Sequence, residues 1–86
     1  STGGAGDALS AAIAAEPERI AIGTIAGDLA ERVRRVAFGH GELVEDDVPG
    51  ENGRVATLII APGADTDAVL RRLWQVGAED AFVIRD

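Results

Sequence analysis

This chain of 86 residues contains no cysteine, lysine, tyrosine or methionine, and only Phe38, Trp74 and Phe82 are aromatic. Because cysteine is absent, disulfide bonds and thiolate metal sites are excluded, and the redox compartment is left open. With so few aromatic residues, a core has to be built from alanine, valine, leucine and isoleucine. We expect Trp74 and Phe82 to complete that core, with the Trp74 indole N–H bonded to a partner or to water.

Side chains suited to catalysis are equally scarce. The single histidine, His40, lies between two glycines, and the only serines, Ser1 and Ser10, lie near the start of the chain. That leaves no credible nucleophile for a Ser-His-Asp arrangement. The acidic stretch at residues 42–51 lacks the alternating spacing of a calcium loop, so we interpret it as a solvated strand edge and turn. We therefore expect no enzyme activity, no cofactor and no metal.

The formal charge of the chain is −7. An acidic surface repels phosphate backbones and anionic membranes, so we expect no nucleic-acid partner and no docking on a membrane surface. No apolar run approaches the roughly 20 residues needed to span a bilayer. Residues 1–17 are predicted to form a glycine-rich linker and a short helix from Asp7 to about Ala15. Any membrane tether is expected only outside this chain.

The longest apolar run, from Val55 to Ile60, predicts the central strand of the fold. It is rich in β-branched residues, and Asn52-Gly53 and Pro62-Gly63 close it on both sides. Length and flanks favour a strand over a helix. A strand that is apolar at nearly every position is either covered on both faces or placed in the middle of a sheet.

The other predicted elements lie on both sides of this strand. Asp28 and Glu31 have the spacing of a capping box at the start of a helix, and Asp65 or Thr66 is predicted to cap a second helix. The predicted elements are a strand at Arg19–Ile25, a helix from Gly27-Asp28 to Gly39 or Gly41, an edge strand at Glu42–Val48, a helix to about Val76, and a strand at Ala81–Ile84.

The two halves of the chain resemble each other. Val33-Arg34-Arg35-Val36 and Leu70-Arg71-Arg72-Leu73 each precede a glycine and a strand. Two such units with right-handed crossovers predict a ferredoxin-like βαββαβ domain over residues 18–86, with a four-stranded antiparallel sheet and both helices on one face. The other sheet face stays open for binding unless the leading helix or a partner covers it. The arginine pairs are interpreted as solvated helix faces.

The chain resembles the SPOR domains, bacterial peptidoglycan-binding modules of similar length. Ala21-Ile22-Gly23-Thr24-Ile25 stands where SPOR domains often have Gln-x-Gly-x-Phe, and Ala61-Pro62-Gly63 stands where they commonly have Gly-Pro-Phe. Residues 70–84 look most like the family. Where the family has its glutamine and its two aromatic residues, this chain has Ala21, Ile25 and Gly63.

That resemblance implies a periplasmic or other extracytoplasmic domain that binds peptidoglycan glycan strands without stem peptides. The binding surface would be the open sheet face. Carried over by position, the ligand-binding residues would be Ala21, Gly23, Thr57 and Ile59.

A second resemblance predicts a different class of protein. Residues 27–33, from Gly27 to Val33, are similar to the start of the first helix in ACT-type regulatory domains, which bind small ligands at sheet or dimer edges. An apolar open face also favours packing against another protein or a second copy, which would make the domain a homodimer. Under these alternatives the compartment would be cytoplasmic.

Overall fold

The computed structural model of the protein describes residues 17–84, which form four strands and two helices. Strands β1 to β4 span Arg19–Ile25, Gly41–Asp47, Arg54–Ile60 and Phe82–Ile84, and helices α1 and α2 span Gly27–Ala37 and Thr66–Gln75. This order confirms the predicted α+β fold. The short helix predicted at residues 7–15 lies outside the described residues.

The four strands form one sheet in the order β2-β3-β1-β4, and every neighbouring pair is antiparallel. This is the strand order of a ferredoxin-like domain. The predicted central strand, β3, lies between β1 and β2, and the described residues cover only one of its faces. Val55 on its other face is 42% exposed. Its apolar run therefore reflects a position in the middle of the sheet, and not coverage of both faces.

The core lies between the sheet and the two helices. Ile20, Ile22 and Leu58 on one sheet face have no exposed surface, and neither has Val33 of α1 or Leu73 of α2. Successive side chains of a strand point to opposite faces, so alternate residues of β1 and β3 enter this core. The periodicity of the sequence thus decides which face of the sheet the helices cover.

The two helices begin differently. Helix α1 has Ala26 at its N-cap and no side-chain cap, so the predicted capping box of Asp28 and Glu31 is wrong. Asp28 lies inside the first turn, where its charge still favours the helix dipole. Helix α2 has the predicted cap, because the Asp65 carboxylate accepts a hydrogen bond from the Ala68 N–H at 3.1 Å.

The aromatic side chains do not complete the core, which corrects the expectation for Trp74 and Phe82. Trp74 is 43% exposed and Phe82 is 59% exposed. Phe82 pairs with Ala21 across the β4–β1 ladder and shares its side of the sheet, away from the helices. The Trp74 indole does find the expected partner, since Nε1 donates to the Ala81 carbonyl at 2.8 Å. Aliphatic residues, together with Thr66, fill the interior of the described residues.

Helix α1 is joined to the edge strand β2 by a bidentate ion pair. Arg34 Nε donates to Glu45 Oε2 at 2.9 Å, and Nη2 donates to Oε1 at 2.7 Å. The hydrogen bond from Arg34 is the main cause that lowers the pKa of Glu45; burial opposes it, and the positive charges of Arg34 and Arg54 add to it. The pair fixes the otherwise polar β2 against the helix layer.

We expect this pair to make the stability of the protein depend on pH. Because folding lowers the pKa of Glu45, its contribution is present above the ordinary carboxyl pKa and is lost as the pH falls through the folded value. Glu45→Gln should therefore be less stable than wild type at neutral pH, and the difference should shrink in acid. Urea unfolding between about pH 7 and about pH 2.5 measures this. A difference that stays constant, or one reproduced by Glu42→Gln on the same strand, would contradict the assignment.

Candidate functional site

The sheet face opposite the helices is the candidate functional site, and we call it the open face. It carries the large apolar side chains Val44, Val55 and Phe82, which are 38%, 42% and 59% exposed. Exposed apolar side chains grouped on one surface mark binding sites more often than single ones do. The strand register determines how they lie relative to one another.

One row of side chains crosses the middle of the open face. The register places Val44, Thr57, Ala21 and Phe82 side by side on β2, β3, β1 and β4 in that order. The two central residues are small and half-buried, whereas the two outer ones are larger and exposed. The row is therefore a shallow trough with an aromatic wall at one end and a hydroxyl in its floor.

Two further rows flank the central one. Towards the start of β1, the register places Glu42, Ile59, Arg19 and Ile84 side by side. In the other direction Asp46, Val55 and Thr24 are neighbours. Both carboxylates lie on the edge strand β2, and the guanidinium lies on β1. The open face thus has an apolar centre with charged and hydroxyl groups towards its margins.

Three of the four ligand-binding residues expected from the SPOR resemblance lie together on this face. Ala21 and Thr57 are direct cross-strand partners, and Ile59 is next on the same side of β3. Gly23 is placed differently: a β-bulge after Ala21 sets it opposite Ala56, whose side chain is buried under the helices. The bulge changes the side of the sheet to which residues in this part of β1 point, as bulges commonly do.

Gly23 is also constrained by its own backbone. Its φ is +82°, a region that favours glycine, and a Cβ there would meet the carboxylate of Asp80. The close approach of Asp80 places the loop before β4 against β1. Gly23 therefore contributes to placing β4, and with it Phe82, beside β1, and its role in ligand binding stays a prediction.

Sequence reasoning missed Phe82, Val44 and Val55 as members of this surface. One signal for Phe82 was available in the sequence. Ala81, Phe82 and Val83 alternate between the two sides of a short terminal strand, and side chains on an edge strand are less covered by their neighbours. Its size and aromatic character favoured the core assignment instead. The cross-strand pairing of Phe82 with Ala21 places Phe82 on the open face.

The remaining chemistry of the described residues is sparse. Residues 17–84 hold no group of three or more histidine, cysteine, aspartate or glutamate side chains arranged for a metal ion. Neither of the two helices in that range is long and apolar enough to cross a membrane. His40, the single histidine, lies exposed at the turn between α1 and β2.

Comparisons of the chain with protein-family models, curated proteins and solved structures found no match. The indications of function are therefore the geometry of the open face and the sequence motifs of β1 and β3. Both concern the same surface, because Ala21, Thr57 and Ile59 belong to it.

Proposed function

We propose that this domain is a non-catalytic binding module that holds peptidoglycan glycan strands, in the manner of SPOR domains, on its open face. The observation that supports this most directly is the exposed ring of Phe82 beside the small residues Ala21 and Thr57. The SPOR-type aromatic positions of the sequence are occupied by Ile25 and Gly63. Ile25 is buried in the core, whereas Phe82 supplies an aromatic group on the open face.

The physical basis is the match between this trough and a sugar ring. One face of a pyranose presents C–H groups, which pack on an aromatic ring over a large apolar area. Small floor residues let the sugar approach the sheet closely. The Thr57 hydroxyl and the carboxylates of Glu42 and Asp46 supply donors and acceptors for sugar hydroxyls.

The proposal predicts that Phe82→Ala weakens binding of peptide-free glycan fragments by about tenfold or more, since an aromatic contact of about 1.4 kcal/mol corresponds to that factor. An NMR titration of the ¹⁵N-labelled chain measures both affinity and location. In the wild type, the shifts should cluster at Ala21, Thr57, Ile59 and Phe82. Phe38→Ala is the matched control, because Phe38 is 86% exposed and lies in the turn after α1.

Two results would contradict the glycan proposal. One is a titration of the wild type without any shift on the open face. The other is an equal loss of affinity in Phe82→Ala and Phe38→Ala, which would mean that the ring is not part of the site.

Self-association through the same face is the second candidate function. The exposed apolar side chains Val44, Val55 and Phe82 favour it, because an apolar surface of this kind also suits a second copy. The same NMR experiment distinguishes the two. Line widths too broad for 86 residues, with no glycan shifts, would support a homodimer, whereas narrow lines at high concentration would count against it.

A further inference from the structure

The groove between the two helices lies on the opposite side of the molecule from the open face. It has a volume of about 500 Å³. Its apolar floor includes Val36 and Val69, both buried, and Val76 at the end of α2. A pocket of this size with an apolar floor falls in the range of ligand sites. The proposed glycan function leaves this groove unused.

Three arginines line the groove in a chain whose formal charge is −7. Arg32 and Arg35 are three residues apart on α1 and therefore share one helix face, and Arg72 approaches from α2. Within residues 17–84 none of the three has an ion-pair or hydrogen-bond partner. Like charges that share a groove repel each other, so the groove favours an anionic occupant.

The acidic residues nearby offset only part of this charge. Asp28 and Glu31 lie one helical turn before Arg32 and Arg35 on α1, but they line a separate depression and not the groove. Asp65 lines the groove and caps α2 through the Ala68 N–H, and its single negative charge is outnumbered by the three arginines. The net charge of the lining is therefore positive.

We propose that this groove binds an acidic peptide segment of a partner protein. Helix α1, with its 11 residues, is about 16 Å long, which matches about five residues of extended peptide. Valine side chains on the floor accept an apolar side chain of the peptide. Guanidinium groups at both rims form paired hydrogen bonds with carboxylates.

The negative charge of the whole molecule limits which kind of anion can occupy the groove. A long polyanion such as a nucleic acid extends beyond the groove and meets the acidic remainder of the surface, which repels it. A short acidic peptide keeps its charges next to the arginines. The groove between the helices, with its apolar floor, also suits a linear ligand with mixed side chains better than a compact inorganic anion.

The test uses the full 86-residue chain and a fluorescein-labelled hexapeptide of four glutamates and two leucines, measured by fluorescence anisotropy. We expect saturable binding that weakens as salt increases, because surface ion pairs are screened. Arg35→Glu combined with Arg72→Glu should reduce the affinity at least tenfold. Arg71→Glu is the matched control, because it changes the neighbouring charge on α2 outside the groove.

A second measurement does not depend on any variant folding. In the unaltered protein, the peptide should shift the amide signals of Ala68, Val69 and Val76. An equal loss of affinity in Arg71→Glu, or shifts spread over the whole surface, would overturn the groove assignment. Competition by inorganic phosphate as effective as competition by unlabelled peptide would replace the peptide site by a small-anion site and so overturn the proposal. Phe82→Ala should leave peptide binding unchanged, so the result is independent of the glycan proposal.

Discussion

Leu58→Ala is expected to lower the free energy of unfolding by about 2–5 kcal/mol. Leu58 has no exposed surface and pairs with Ile20 on one side and Leu43 on the other. It therefore lies at the centre of the covered sheet face, where surrounding side chains fill only part of the cavity that the substitution leaves. A domain of this size has a small core, so a loss of that magnitude removes a large part of its stability.

Urea unfolding followed by circular dichroism measures the effect. Val55→Ala is the matched control, because Val55 lies on the same strand but is 42% exposed on the other face. We expect the control to cost less than about 1 kcal/mol. If both variants lost the same stability, the core would not be centred between β3 and the helices as the structure has it.

Gly41→Ala is expected to lower the free energy of unfolding by about 1–3 kcal/mol. Gly41 opens the edge strand β2 and pairs with Ile60. A Cβ at this position would meet the backbone carbonyl of Ile59, and a backbone atom cannot move aside as a flexible side chain can. The start of β2 would have to separate from β3, which also disturbs the hydrogen bond from the Ala61 N–H to the His40 carbonyl at 2.8 Å.

The control for this experiment is Glu42→Ala, because Glu42 is the next residue of β2 and its side chain is exposed on the open face. Thermal unfolding and amide hydrogen exchange together locate the damage. Gly41→Ala should lower the midpoint and speed exchange at Ala61, whereas Glu42→Ala should do neither. Normal exchange at Ala61 in Gly41→Ala would show that the strand accommodates the methyl group.

The two proposed binding surfaces lie on opposite sides of one thin domain. The open face is apolar with an exposed aromatic ring, and the helix groove is lined by arginines. The core around Leu58 supports both surfaces, because it packs between the sheet, which carries the open face, and the helices, which form the groove. Destabilising core variants should therefore weaken both activities together, whereas Phe82→Ala and the arginine variants separate them.

Local patterns in the sequence predicted the elements well where one physical rule dominated. The apolar run before Pro62-Gly63 is β3, and the stretch from Arg19 to Ile25 is β1 with unchanged bounds. Asp65 caps α2 as its position indicated. Helix α1 begins at Gly27, as predicted, but its predicted capping box is wrong, because the N-cap is Ala26 and Asp28 lies inside the first turn.

The local sequence pattern did not predict contacts between residues of separate helices and strands. The bidentate bond of Arg34 to Glu45 joins residues 11 apart, whereas the sequence pattern assigned Arg34 to a solvated helix face. The β-bulge at Gly23 likewise depends on the strand opposite, so the sequence placed Gly23 on the open face. Such contacts arise only when separate elements meet.

The sequence by itself determined the order of strands and helices and the ferredoxin-like arrangement, because hydrophobic period and turn residues act over a few neighbouring positions. Tertiary structure alone decided that Phe82 faces solvent, since exposure of a side chain on an edge strand depends on what the next layer covers. It also decided that Arg35 and Arg72 face a common groove. Their meeting requires two helices, far apart in the chain, to pack side by side on the same sheet.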